Sequence, residues 1–167
     1  MTTEHENLEI PVVIATDGAC IGNPGRGGWG FVAMTTDELG VLSVTSGGAQ
    51  HTTNQRMELE AVIRALEAQP TEQPLLILTD SEYVQKGITE WIHRWKRRGW
   101  KASSRKPVKN LDLWQRLDAL NQARYVRWKW VRGHSGHISN EAADRAAESE
   151  AKHRANEPTH SKEVLQK

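Results

Sequence analysis

Four acids stand where a solvated surface acid has little reason to be. Asp17 interrupts the apolar run that starts at Ile10, and Asp80 closes a second one, Leu75-Leu-Ile-Leu-Thr. Glu58 sits inside the helical segment beginning at Asn54, and Asp144 follows the polar loop Gly133-His-Ser-Gly-His. Carboxylates near a core are costly unless they are paired, hydrogen-bonded or bound to cations. Taken singly, each has an ordinary reading. Asp17-Gly18 can mark a turn, Asp80 can cap a helix, and Glu58 and Asp144 can be solvated helix residues. Gathered together, they make an oxygen-donor set suited to Mg²⁺, which takes a few carboxylates, retained waters and substrate phosphates. Zinc fits poorly, because Cys20 is the one cysteine and His134-x-x-His137 lies in a glycine-rich loop rather than on a helix face. A loop histidine beside carboxylates suits proton transfer, which gives His134 a place in the same chemistry.

A second constellation is cationic. Net charge is only +1, but residues 1–90 carry 4 Lys+Arg against 13 Asp+Glu, and residues 91–167 carry 18 against 8. Within 91–109 there are eight basic residues and no acid, interleaved with Trp91, Trp95 and Trp100. Trp91 and Trp95, four apart, can anchor a helix to the core. Tryptophans among lysines and arginines otherwise suit contact with phosphate and sugar, so nucleic-acid binding is expected. Gly25-x-Gly27-x-x-Gly30 matches the dinucleotide-binding glycine pattern only formally, because a strand rather than a helix follows it. These glycines are expected to shape a turn that brings backbone amides near a phosphate or sugar.

The elements that must position these residues can be read from periodicity. Residues 10–17 read as a buried strand, Phe31–Met34 as a second, and Val41–Thr45 as a third after a turn at residues 36–40. A helix begins near Thr52 or Thr53, with Gln55 completing a capping box to Thr52. Leu59, Val62, Ile63 and Leu66 form its buried stripe. Leu75–Thr79 is a fourth strand, and Asp80 or Ser81 caps the helix that follows. A second helical stretch, Glu90 to Arg98, stops at Gly99. The basic segment 100–109 reads as an exposed loop, with Asn110 capping a helix that turns Leu113, Leu117 and Leu120 inward. Tyr125–Val131 alternates as a fifth strand, and Asn140–Ala155 is the final helix. This order implies a mixed sheet with helices packed on it.

The 167 residues suit one domain, and 37% hydrophobic with 26% charged is ordinary for a globular chain. No apolar run reaches the ~18 residues of a membrane helix, and the polar first residues do not read as a secretory signal. The lone cysteine fits a reducing compartment, so a cytoplasmic protein without membrane contact is expected. Nothing demands an oligomer, and a monomer is the default.

Together these segments resemble the bacterial ribonuclease HI family, the type 1 ribonucleases H. The likeness is carried by Thr16-Asp-Gly-Ala-Cys-Ile-Gly-Asn-Pro-Gly, Thr52-Thr-Asn-Gln-Arg-Met-Glu-Leu, Thr79-Asp-Ser-Glu-Tyr-Val and Trp130-Val-Arg-Gly-His-Ser-Gly-His. Residues 87–101 resemble that family's basic protrusion. The resemblance implies an α/β fold of mixed character: a five-stranded sheet, a three-strand antiparallel meander plus two parallel strands, flanked by helices. It implies one domain over residues 8–156, with residues 1–7 and 157–167 as flexible termini.

By the same resemblance the chain hydrolyses the RNA strand of RNA–DNA hybrids endonucleolytically, leaving 5′-phosphate and 3′-hydroxyl ends. Asp17, Glu58, Asp80 and Asp144 would hold two Mg²⁺ ions, with Mn²⁺ a possible substitute. His134 would complete the catalytic set, and Glu141 would be an accessory acid. Asn23, Asn54 and Gln55 fall where the family contacts RNA, and Thr53 at its pocket for a DNA phosphate. Trp91, Trp95, Lys96, Arg97, Arg98 and Lys101 would line the groove for the DNA strand. Gln55 stands where asparagine is common and Glu82 where glutamine is common, so an effect on affinity or cleavage preference is expected. Two other readings use the same residues: a DNA nuclease or recombinase domain of related fold, and a hybrid-binding module without catalysis.

Overall fold

In a computed structural model, residues 11–34, 42–133 and 138–156 are described. The five strands are β1 (Val12–Ile21), β2 (Gly25–Met34), β3 (Leu42–Thr52), β4 (Leu75–Thr79) and β5 (Val126–Trp130). They form one mixed sheet in the order β3-β2-β1-β4-β5. Strands β1–β3 make the antiparallel meander, and β1, β4 and β5 run parallel. This is the sheet expected from the sequence.

Helix α1 (Asn54–Glu67) lies on one face and α5 (Ile138–Asn156) on the other. The α1 face holds the large core, with Ile14, Leu59, Val62, Ile63, Leu66 and Ile77 all fully buried. Helix α4 (Leu111–Gln122) adds Leu113, Trp114 and Leu117 to it. The α5 face is built from small side chains, Ala15 and Val32 against Ala143.

That thin face corrects the reading of the glycines. Only the short connection after Ile21 turns, and β2 begins at Gly25. A methyl group on Gly28 would overlap the Ala147 carbonyl of α5, and one on Gly30 would lie 2.9 Å from the Ala143 carbonyl. Gly28 and Gly30 are strand residues that let α5 approach the sheet, Gly27 on the other face leaves room for the Thr52 and Met57 side chains, and none of the three forms an amide-lined turn.

The caps also settle. Thr53, not Thr52, caps α1 by accepting from the Arg56 amide, while Thr52 ends β3. Ser81, not Asp80, caps α2 (Glu82–Lys86) by accepting from the Val84 amide. Asn110 precedes α4 in the left-handed region at φ 59°, and its side chain makes no capping bond among the described residues. It instead donates to the Tyr83 hydroxyl and accepts from Arg56. Helix α2 runs through a π-helical turn (Gly87–Trp91) into α3 (Ile92–Arg97), so the second helical stretch is the continuation of the first. Strand β5 starts one residue later than expected, leaving Tyr125 77% exposed, and α5 starts two residues earlier, at Ile138. The turn at residues 36–40 and the two termini lie outside the described residues.

Substituting Gly28→Ala forces α5 away from the sheet and should cost about 1–3 kcal/mol, as overpacking does. Urea denaturation measures this, and an unchanged midpoint would show that the helix does not depend on that close approach.

Candidate active site

The parallel register of β1 and β4 pairs Thr16 with Thr79, so the next residues, Asp17 and Asp80, stand side by side where β4 ends. Alternation along each strand places Asp17 with Ala15 and Asp80 with Leu78, toward the α5 face. Gly18 turns to the opposite face, where a Cβ would overlap the α1 backbone at Met57–Glu58. That close contact lets α1 deliver the Glu58 carboxylate to Asp17. One oxygen each from Asp17, Glu58 and Asp80 lies within 4.8 Å of the others. Asp144, from α5, comes within hydrogen-bonding range of Asp17. All four acids singled out in the sequence therefore meet.

The cluster is electrostatically uncomfortable. Asp17 is only 7% exposed. Burial raises its pKa to about 7, with the charge of Asp80 and a hydrogen bond to Asp144 adding to the rise against hydrogen bonds from Glu58 and the Gly18 amide. The Gly18 amide donates to Asp17 Oδ1 at 2.8 Å. Glu58 is pushed well above the usual carboxylate range by burial first, then by Asp17 and Asp80. Glu58 as a whole is half-buried, yet its Oε2 is shut off from solvent and has no hydrogen-bond partner among the described residues. A shielded oxygen without a donor, beside two more carboxylates, is the kind of group a cation satisfies. The residues present can hold a divalent cation.

Three residues that the sequence reading passed over shape the cluster. Trp130 donates its indole N–H to the Asp80 carbonyl at 3.0 Å, fixing the backbone that carries this acid. Gly133 lies against Asp80, where a Cβ would sit 2.9 Å from Oδ2. Gly18 admits α1, as described. In each case the signal is a glycine or tryptophan next to a chemically important run, which spacing alone does not interpret. His134 lies outside the described residues. Glu141 is exposed in the first turn of α5, one turn before Asp144.

The other singled-out residues fall into two groups. Asn23 accepts from the Asn54 amide at 3.1 Å, which joins the end of the β1–β2 turn to the start of α1 beside Thr53 and Gln55. Glu82 is exposed and paired with Lys86 one turn on, at 3.4 Å. In the continuous helical segment from Glu82 to Arg97, Trp95 packs against the core, while Trp91 lies between Tyr83 and Trp95 with its ring tilted to both. Lys96 is not a freely projecting cation, because it bonds Asp118 of α4 at 2.8 Å. Arg97 is exposed. Arg98 and Lys101 line a hollow of about 410 Å³ with Ala102, Ser103 and Arg105, which no carboxylate of the described residues joins. None of the helices described is long and apolar enough to cross a membrane.

Comparison with known proteins agrees with this geometry. The family model for RNase H matches residues 9–152. The chain is 56% identical over 137 residues to a ribonuclease H of Rhodopseudomonas palustris (strain TIE-1), covering 82% of this chain and 86% of that one. It is 59% identical over 132 residues to a ribonuclease H of Alkalilimnicola ehrlichii, covering 79% and 88%. Among solved structures, LC9-RNase H1, a type 1 RNase H with the type 2 active-site motif, superposes with a TM-score of 0.75 at 34% identity, covering 87% of this chain and 74% of that one. With its sheet order, its gathered acids and relatives of this identity over most of its length, the chain belongs to the ribonuclease H family.

Proposed function

We propose that this chain is an endonuclease that hydrolyses the RNA strand of RNA–DNA hybrids, with Asp17, Glu58, Asp80 and Asp144 as ligands for two Mg²⁺ ions. The observation that carries the reading is the Glu58 oxygen, buried and without a donor in a set of converging carboxylates. When bound, the ions supply Lewis acidity, activating a water for attack on the scissile phosphorus and stabilising the departing 3′-oxygen. Asp17 and Glu58 would release to solvent the protons that burial favours when a cation is bound, since positive charge lowers the pKa values that burial raised. Trp130 and Gly133 hold Asp80 at a fixed place in the set. His134, directly after Gly133 in sequence, relays protons and aids product release, with Glu141 as an accessory acid. Mn²⁺ serves as an alternative ion.

Substrate recognition follows from the surrounding groups. Asn23, Asn54 and Gln55 offer amides to the RNA strand, where the 2′-hydroxyl distinguishes RNA from DNA. Thr53 and the face of Trp91, Trp95, Lys96, Arg97, Arg98 and Lys101 take the backbone of the DNA strand, so little base specificity arises. Lys96 reaches a phosphate by exchanging its bond to Asp118. Glu82 accepts hydrogen bonds but cannot donate, and its pairing with Lys86 offsets its charge near the RNA. The working unit is a cytoplasmic monomer whose domain spans residues 8–156.

Asp17→Asn should lower cleavage of a labelled hybrid by at least ~10³-fold while leaving hybrid binding in place. Retained turnover would remove Asp17 from the reaction. The same substitution has a second readout in the metal-free protein. Asp17 titrates near 7 when folded against 3.8 as its ordinary value. The folded state thus binds more protons between these limits, and stability at this site falls as pH rises through that window. Asp17→Asn should therefore stabilise the metal-free protein by roughly 2–4 kcal/mol at pH 8 and add nothing near pH 4. Thermal melts at the two pH values measure this, and an equal shift at both would contradict the charge argument.

Charge reversal across Arg97, Arg98 and Lys101 should raise KM and flatten the salt dependence of binding by about 2–3 in log–log slope. An unchanged slope would place the cationic face outside the interface.

A further inference from the structure

The rod over residues 82–97 has an apolar stripe that a regular α-helix could not keep on one side. Val84, Ile88 and Ile92 are all buried, and Tyr83, Trp91 and Trp95 form a parallel row. Residues spaced by four drift about 40° per turn in an α-helix, so Tyr83 and Trp91, eight apart, would diverge by about 80°. The π-helical turn absorbs one extra residue, about 100°, and brings them back into line within about 20°.

Its hydrogen bonding is visible where the Ile92 amide donates to the Gly87 carbonyl, five residues back. Thr89 supports the widened turn, its hydroxyl donating to the Gln85 carbonyl at 2.6 Å. Gly87 provides the room, because any Cβ there would overlap the Trp114 ring.

The consequence is a closed circuit of four aromatic rings. Centroids are 6.0 Å apart for Tyr83–Trp91, 6.1 Å for Trp91–Trp95, 5.1 Å for Trp95–Trp114 and 5.3 Å for Trp114–Tyr83. The Tyr83 hydroxyl closes the circuit onto the rest of the site. It accepts from the Trp114 indole at 3.0 Å and from Asn110 at 3.1 Å. Asn110 accepts in turn from Arg56, which pairs with Asp112 and lies two residues before Glu58 on α1. Tyr83 itself is three residues after Asp80. The rod therefore begins at the acid cluster and ends in the cationic face, with the π turn setting the rotation of one relative to the other.

We propose that Thr89 and Gly87 are positioning residues for substrate binding, which hold the π turn so that Trp91 through Arg98 face the DNA strand of the same hybrid whose RNA strand the acid cluster serves. The inference rests on the reading of the cationic face as a hybrid contact. Inserting one alanine after Thr89 adds a residue that the turn does not absorb and rotates everything after it by about 100°, carrying Arg94, Arg97 and Arg98 off the common face. Thr89→Val removes only the hydroxyl, and Thr89→Ser keeps it.

The test is steady-state cleavage of a labelled hybrid at several salt concentrations in the presence of Mg²⁺. The insertion should raise KM about 10-fold or more, change kcat by less than about 3-fold, and lower the salt slope by about 2. Thr89→Val should shift KM in the same direction by about 2–5-fold, with Thr89→Ser matching the parent. Near-UV circular dichroism should report loss of the coupled ring signal in the insertion variant but not in Thr89→Ser. A folded insertion variant with the parent's KM and salt slope overturns the proposal. Should the insertion variant not fold, parental KM and salt slope in Thr89→Val overturn it equally. If charge reversal of Arg97, Arg98 and Lys101 moves the salt slope while the turn variants do not, positioning fails and the hybrid contact stands. If none moves it, the contact itself is wrong.

Discussion

The in-register parallel pairing of β1 with β4 is the constraint on which the rest of this molecule turns. It puts two carboxylates, Asp17 and Asp80, on neighbouring strands and on one face, where neither can retreat from the other. Strand geometry fixes that separation, and no rotamer change moves the backbone that enforces it. Glu58 and Asp144 then arrive from opposite layers, which raises the electrostatic cost further. Such a set resists full ionisation without cations, and burial makes the resistance stronger. Cation binding is thus the condition under which the fold and its charges agree.

How the acids are brought together explains several residues that otherwise look unrelated. Gly18 of β1 and Gly28 and Gly30 of β2 do the same job on opposite faces. Gly18 lets α1 press its first turns against β1, whereas Gly28 and Gly30 let α5 lie close over β2. Arg124 fixes the far end of α1 by donating to the carbonyls of Leu66 and Gln69, so the helix is held at both termini. Trp130 holds Asp80 by its backbone and leaves the carboxylate to the cluster. Of these devices only Gly18 also takes a carboxylate oxygen, its amide donating to Asp17 Oδ1.

Much of this was legible before any coordinates. The strand β4 and the buried stripe of α1 follow directly from hydrophobic periodicity, because both elements bury a face wide enough to leave a clear pattern. The four acids were legible as exceptions to that pattern. What remained hidden depended on contacts between layers. A run of glycines reads as a turn when considered locally, but pairing with β1 and β3 makes it a strand, and the approach of α5 explains why two of its residues are glycine. Asn110 has the composition of a helix cap, yet Tyr83 and Arg56 claim its side chain. Lys96 looks like one more free cation until Asp118 is seen beside it. The family resemblance supplied the roles proposed for Asn23 and Thr53, which no spacing rule would have given.

The two faces of the sheet divide the work of folding and chemistry unequally. Large aliphatic side chains and Trp114 fill the α1 side, and burial of such groups contributes roughly 1.5–3 kcal/mol each. The α5 side is carried by alanines, a valine and glycines, which bury little area but allow short distances. Area burial is thus concentrated on the α1 side, which contributes Glu58 alone to the acid cluster, and short inter-layer distances dominate the α5 side, toward which Asp17 and Asp80 point. A larger core on the α5 side would add stability only by lifting Asp144 away from Asp17. The small residues there set the reach of a carboxylate, and for that reason a site that strains its own fold can still be held rigid by it.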